Sequence, residues 1–406
     1  MNWTRLSRRT VASTIASMMT LATVLGLTAC TRDYTVAYVY MTAGSKGATG
    51  VVNSYAVDYL TGALVRIGSP TPTGINPVSL VTSPNGLFLY VLNHDDSTVQ
   101  VFGINGDGTL TAKGSATKIT GTFPTAAAID QAGKFLYVTY TYQTGFSATT
   151  PGPGGVTIFP IGSDNTLGTA SNVNVGNNPI AITTSNFNSF VYVVDQETAP
   201  LTSAVLGFAE NTSTGALTPT PGTVITTVAG KTAATGYAVG TTPSAIAEDP
   251  TSRFVYVVDQ ATNQMYGKVV ASNGSLVSMV NGPFATGLFP VSITIDPRGK
   301  YLYVSNFNSR TISAFAIDQA TGAPSGSIGS SSTAVGTGPT CLTIEPALGI
   351  YLYTADTLDG TIWGLQLDPH NGGLKNTQNT PYPATGSPTC VAAAPNGQHA
   401  TQIVQP

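Results

Sequence analysis

One phrase, written seven times, constrains this chain more than any other feature. Each copy opens at a proline: Pro77, Pro124, Pro179, Pro243, Pro290, Pro339 and Pro388. Neighbouring copies lie 47, 55, 64, 47, 49 and 49 residues apart. A tyrosine follows 13 residues after each of the first five prolines (Tyr90, Tyr137, Tyr192, Tyr256, Tyr303) and 14 after the sixth, at Tyr353. A period near 50 residues describes a supersecondary unit that buries its apolar faces only by stacking on its neighbours.

Inside each unit apolar residues alternate with period two, as strands require. An inner strand follows the proline (Val78 to Ser83, Val291 to Asp296), and a Pro-x-Gly turn such as Pro297-Arg298-Gly299 closes it. The tyrosine strand comes next, then a polar loop, a third strand, a turn such as Thr321-Gly322 and a weaker fourth strand. Four antiparallel strands per unit predict an all-β propeller with seven blades. Two residues after each proline the side chain is small (Ser79, Ala126, Ala181, Ala245, Ser292, Cys341, Cys390), as crowding near an axis demands. The first strands, Val36 to Met41 and Val51 to Val57, lack an inner strand, whereas Thr389 to Ala394 has only that. The ring is therefore expected to close with three N-terminal strands and one C-terminal strand, removing its open edges. Cys341 and Cys390 are expected as two buried thiols, because matching positions of neighbouring blades should lie too far apart to bridge.

Charged residues make up only 9% of the 406, with a net charge of −3. No basic stripe is available for nucleic acid, which excludes that partner class. Arg5, Arg8 and Arg9 followed by an apolar run from Val11 to Leu27 have the layout of a secretory signal peptide. Residues 1–29 are read as that signal, 30–35 as a linker, 36–398 as the propeller and 399–406 as a tail. Leu27-Thr28-Ala29-Cys30 resembles a bacterial lipobox, which would make Cys30 the lipidated first residue; ordinary cleavage with Cys30 incidental is the alternative. The expectation is an exported monomer of the cell envelope, on the periplasmic or outer-membrane side, touching membrane only through its anchor.

The phrase Pro-x-Ser/Ala-Ile-x-x-Asp-Pro-x-Gly-Lys-Tyr-Leu-Tyr-Val-x-Asn, best kept from Pro290 to Asn306, resembles the bacterial lactonase family. That family includes propeller-type 6-phosphogluconolactonases and shares features with YVTN repeat proteins. The resemblance runs over nearly all of residues 36–395 and implies hydrolysis of a sugar lactone where the inner strands begin. It also implies His, Arg and Glu side chains near those strand starts. Here Ile180 and Ala181 follow Pro179, and Ser244 and Ala245 follow Pro243, so no catalytic residue carries over. An acid near the end of the second strand has Gln196 or Gln260 in its place.

Candidate chemistry gathers on the loops between second and third strands. His94, Asp95 and Asp96 bring an imidazole and two carboxylates together, a set that could ligate a divalent cation or activate water, or could be a solvated turn. Tyr140, Gln196, Glu197, Gln260 and Asn308 supply further binding groups, and Arg310 could orient an anionic substrate. Asn93, Asp195, Asp259, Asn306 and Asp356 recur at one repeat position, where Asn and Asp serve turns. Glu248 is the carboxylate in a row otherwise filled by Thr82, Ile129, Thr184, Ile295, Ile344 and Ala393. No cofactor is certain from this set, and a divalent cation is the one it could hold. Two functions stay open: a binding or scaffold module for a carbohydrate, lactone, peptide or protein on the loop face, or a lactone (carboxylic ester) hydrolase using Glu248, His94 and Arg310. Two long segments, 141–155 and 221–241, are either lids or decoration.

Overall fold

The computed structural model describes residues 34–197, 202–228, 231–326, 328, 332–397, 399 and 403–405. The signal segment and Cys30 lie outside the described residues. Seven sheets form the blades, three of four strands and four of five, and a hairpin of Val224–Val228 with Lys231–Thr235 forms a separate two-stranded sheet whose Ile225 and Ala234 pack on the seam between blades two and three. Counting by inner strand, blades one to six start with Pro77–Thr82, Gly121–Ile129, Pro179–Thr184, Pro243–Glu248, Pro290–Ile295 and Pro339–Ile344. Blade seven joins Thr35–Ala43, Thr49–Asp58 and Leu64–Ile75 to the C-terminal strand Pro388–Pro395. The closing pair is antiparallel, with Met41 opposite Val391 and Tyr40 opposite Ala392. In four blades the weak fourth strand is split, its two pieces pairing with opposite ends of the third strand, as Leu110–Ala112 and Thr117–Lys118 do in blade one.

The blades bury their apolar residues against one another, and each of the seven seams holds its own cluster. At the seam between blades seven and one Tyr38, Tyr40 and Val52 pack on Leu80, Leu89, Val91 and Phe102, and at the seam where the chain ends meet Val39, Met41 and Tyr55 share a cluster with Tyr351 and Tyr353 of blade six. A polar latch repeats at every seam. Tyr90, Tyr137, Tyr192, Tyr256 and Tyr303 donate their hydroxyls to the carbonyls of Asn165, Gly215, Gly274, Gly322 and Gly372 in the next blade, at 2.7–3.4 Å. Tyr353 reaches Gly62 of blade seven at 2.7 Å, and Tyr40 reaches Gly108 of blade one at 3.1 Å. The accepting residue has positive φ in every case, between 61° and 79°, so the turn that needs glycine also presents the carbonyl. Tyr40 is thus the seventh tyrosine, supplied from the other end of the chain.

The expectation of two free thiols is corrected here. Cys341 and Cys390 form a disulfide across blades six and seven, with Cα atoms 5.0 Å apart. Inner strands converge on the axis closely enough for side chains two residues past the proline to meet the neighbouring strand. Ser292 does the same one seam earlier, accepting the Leu342 N–H at 3.2 Å.

Candidate functional site

The inner strands begin, and the second strands end, at one mouth of the ring. Its rim is built from a repeated backbone bond: the residue before each phase proline offers its carbonyl to the loop leaving the second strand. Asn76 accepts from His94 N–H, Asn178 from Gln196, Thr242 from Gln260 and Phe289 from Phe307, all at 2.9–3.0 Å. The Asn/Asp position anchors the loop before the proline. Asn93 accepts from Gly74 N–H (3.0 Å), Asp195 from Asn178 (2.9 Å), Asp259 from Thr241 and Thr242 (2.5 and 2.8 Å) and Asn306 from Gly287 (3.0 Å). The fit leaves no room for a side chain opposite: a Cβ on Gly176 would lie 1.6 Å from the Asp195 carboxylate. These acids and amides hold turns, the role their residue type favours.

The sequence candidates divide accordingly. Asp95 accepts from Gly47 N–H (2.7 Å) and Asn76 (3.1 Å) and lies 2.6 Å from His94 Nδ1, while Asp96 accepts from Ile75 N–H (2.5 Å). Slight burial would push the Asp95 carboxyl up, but the bonds from His94, Gly47 and Asn76 outweigh it and hold it below the ordinary value. The two carboxylates serve different backbone partners. Among the described residues no three His, Cys, Asp or Glu side chains are grouped to hold a metal ion. Gln196 bridges Asn178 (3.1 Å) and the Pro243 carbonyl (3.0 Å), and Glu197 accepts from Asn177 (2.9 Å). Burial, with Glu197 beside it, raises Asp195 to about 7; burial, with Asp359 next, raises Asp356 to about 8. Tyr140 is withdrawn from the mouth: it is 0% exposed, its ring wedged against Gly121 and Gly155. It occupies the Asn/Asp position of blade two and fills it with bulk. Gln260 is half-buried, and Asn308 and Arg310 are exposed; Arg310 sits at φ 58° in its turn.

Glu248 lies at the far end of its inner strand, away from Pro243 and from the mouth. Ser185 of blade three donates to it at 2.6 Å. Burial pushes its carboxyl up to about 8 against the Ser185 bond. His94 and Arg310 stand on mouth loops in blades one and five, so the structure does not gather the three catalytic candidates at one point.

Sequence reading passes over two aromatic residues at the mouth, Phe123 and Phe289. Phe123 and Phe289 directly precede two phase prolines and hold φ of 60° and 57°, a costly region for bulky side chains. The ring of Phe123 stacks on His94 (centroids 4.9 Å) and meets Tyr142 edge-on (6.1 Å). Phe289 faces Phe307 at 6.1 Å, beside exposed Leu288 and near Leu358. The two sites lie three blades apart around the ring. Their signal in the sequence is a bulky residue immediately before the proline, where other repeats carry Asn, Thr, Gly or Ser.

The model of a family described as lactonase, 7-bladed beta-propeller, matches residues 16–344. A curated 6-phosphogluconolactonase of Formosa agariphila is 32% identical over 74 residues, which span 17% of this chain and 21% of that protein. The match therefore reaches about a fifth of the curated relative's length. Among solved structures, a candidate 6-phosphogluconolactonase of Bacteroides uniformis superposes with TM-score 0.71 at 18% identity, covering 89% of this chain and 100% of that one. The periplasmic gluconolactonase of Pseudomonas aeruginosa gives TM-score 0.71 at 17% identity, covering 88% and 99%. At such identities the superpositions speak to fold.

Proposed function

The chain belongs to the lactonase family of seven-bladed β-propellers, and from that premise we propose that it is an exported, lipid-anchored binding module that takes a sugar or sugar lactone at the mouth. The observation that carries this reading is the pair of strained aromatic residues, Phe123 and Phe289, held at φ 60° and 57° on the rim. Backbone strain of about 1–3 kcal/mol per residue persists where the surroundings impose it, and such positions cluster at functional sites. A pyranose or lactone ring has an apolar C–H face that stacks on an aromatic side chain, while its hydroxyls seek polar groups at the edge. His94 beside Phe123, and Asn308 and Arg310 beside the Phe289 and Phe307 pair, supply such groups.

Hydrolysis is the second reading, favoured by the family and by Glu248, whose raised pKa would let it exchange protons near neutral pH. Against it stand the separation of Glu248 from His94 and Arg310, and the use of the mouth acids Asp96, Asp195 and Asp259 as loop anchors. Purified mature protein should bind gluconolactone or its parent sugar by calorimetry, with binding lost in Phe289→Ala and Phe123→Ala. Hydrolysis of a lactone panel should run no faster than with an inert control protein, with or without divalent metal. Turnover that disappears in Glu248→Gln would replace the binding reading by the hydrolase.

A further inference from the structure

The register of the third strands reveals a break in the array at blade four. At one core position six blades place a bulky apolar residue: Phe102 opposite Leu89, Phe159 opposite Leu136, Phe208 opposite Val191, Phe315 opposite Leu302, Leu365 opposite Leu352 and Tyr55 opposite Val39. None of the six is more than 3% exposed. Blade four places Lys268 there, opposite Val255, and buries it at 4% exposure. Its amine donates to the Ala238 carbonyl at 2.9 Å and to Ser278 Oγ at 3.0 Å. Both acceptors are neutral, and among the described residues the ion pairs are His94 with Asp95 and Arg298 with Asp296, neither involving Lys268. Burial lowers the pKa of the amine, with no charged neighbour contributing.

A cavity of about 160 Å³ adjoins this amine, with Lys268, Ala238, Ser278, Tyr266, Met279 and Pro283 among its walls. Ala238 belongs to the short strand Tyr237–Ala238, which ends the long insertion and pairs with Ala204 and Val205 of blade three. The insertion therefore supplies one wall of the cavity. An unpaired buried ammonium is costly, and a well-placed anion repays much of that cost through charge-assisted hydrogen bonds.

We propose that this cavity is a binding site for a small organic monoanion, a short-chain carboxylate held by Lys268 and Ser278. The carboxylate supplies the counter-charge that the fold omits, and Tyr266, Met279 and Pro283 take a short alkyl chain. The volume suits such a ligand: an engineered apolar cavity of about 150 Å³ takes up benzene. The site stands apart from the mouth, on the third strand, and does not depend on what the mouth binds.

The test is thermal unfolding of the mature protein titrated with sodium propionate. Sodium chloride at matched ionic strength and neutral propionamide serve as controls. Propionate should raise the melting temperature beyond both controls, because a ligand of the native state stabilises it by mass action. Lys268→Met should move the half-maximal propionate concentration upward by about tenfold or more, the loss of a charge-assisted bond. Ser278→Asp places a carboxylate beside the amine; it should be at least as stable as the wild type without propionate and should not respond to it. Equal effects of propionate and propionamide, or of propionate and chloride, would overturn the proposal. So would an undiminished propionate response in Lys268→Met. Should that variant not fold, a wild-type response surviving in Ser278→Asp rejects the site by itself.

Discussion

The latch belt and the mouth are built from the same seven repeats, yet they treat repetition differently. In the belt every blade does the same thing: a tyrosine hydroxyl meets a carbonyl of positive φ in the next blade, from Tyr40 and Tyr90 through Tyr303 and, across the chain ends, Tyr353. At the mouth the backbone scheme repeats while the side chains diverge. Tyr140 replaces an Asn or Asp in blade two, and Phe123 and Phe289 take strained positions that smaller residues hold elsewhere. Uniformity marks what closes a ring; departure from it marks where a ring can be put to use. Lys268 follows the same logic inside a seam.

The largest expected effect tests whether the axis is cross-linked where blade seven closes. The Cys341–Cys390 bridge spans 49 residues, and loop-closure entropy assigns about 4 kcal/mol to a loop of that length. Cys341→Ser should lower stability by that order in chemical unfolding, and a non-reducing peptide map of the native protein should show the two cysteines linked. Free thiols at both positions would restore the sequence expectation. Next come the latches. Tyr353→Phe strands the Gly62 carbonyl and should cost about 1–3 kcal/mol. Tyr40→Phe should cost a similar amount, although its partner Gly108 lies 68 residues away while Tyr353 and Gly62 lie 291 apart, near opposite ends of the repeat array. A much smaller loss at Tyr353 would mean that the seam joining the chain ends is weaker than the others.

At the mouth the sign reverses. Phe289→Gly relieves the positive φ and should leave stability unchanged or raise it by about 1 kcal/mol, while removing sugar binding. A clear loss of stability would make Phe289 an architectural residue and dissolve the contrast with the belt. The smallest effect is a slope. Glu248 has an ordinary value of 4.5 and a folded value of about 8, so the folded state binds its proton more tightly than the unfolded chain does. Its protonation favours the fold fully below about pH 4.5, and that contribution is lost as pH rises towards 8. Asp356 and Asp195, raised to about 8 and 7, act in the same direction. Melting temperature should therefore fall from pH 5 to pH 8, less steeply in Glu248→Gln.

Much of this was legible in the chain. Prolines at a period near 50 residues, tyrosines 13 or 14 residues later and an unpartnered strand at each end specify seven blades and the way they close. Those signals are local, because alternation, turn chemistry and repeat spacing are set by short stretches of backbone. The anchoring role of Asn93, Asp195, Asp259 and Asn306 was readable for the same reason. Lys268 left a trace as well, since Gly267-Lys268 stands where Gly207-Phe208 and Gly364-Leu365 stand in their repeats. Its neutral partners and its cavity left none, because Ala238 and Ser278 reach it from other strands.

The sequence by itself determined the blade count, the strand order and the shared seam, all of which follow from periodicity. Only the tertiary structure decided that each tyrosine bonds the next blade's turn, that Cys341 and Cys390 meet, and that Glu248 stands at the opposite end of the channel from His94 and Arg310. Those outcomes depend on how closely inner strands converge and which end of a strand faces which opening. Curvature of the whole ring sets both, and no single repeat contains that information.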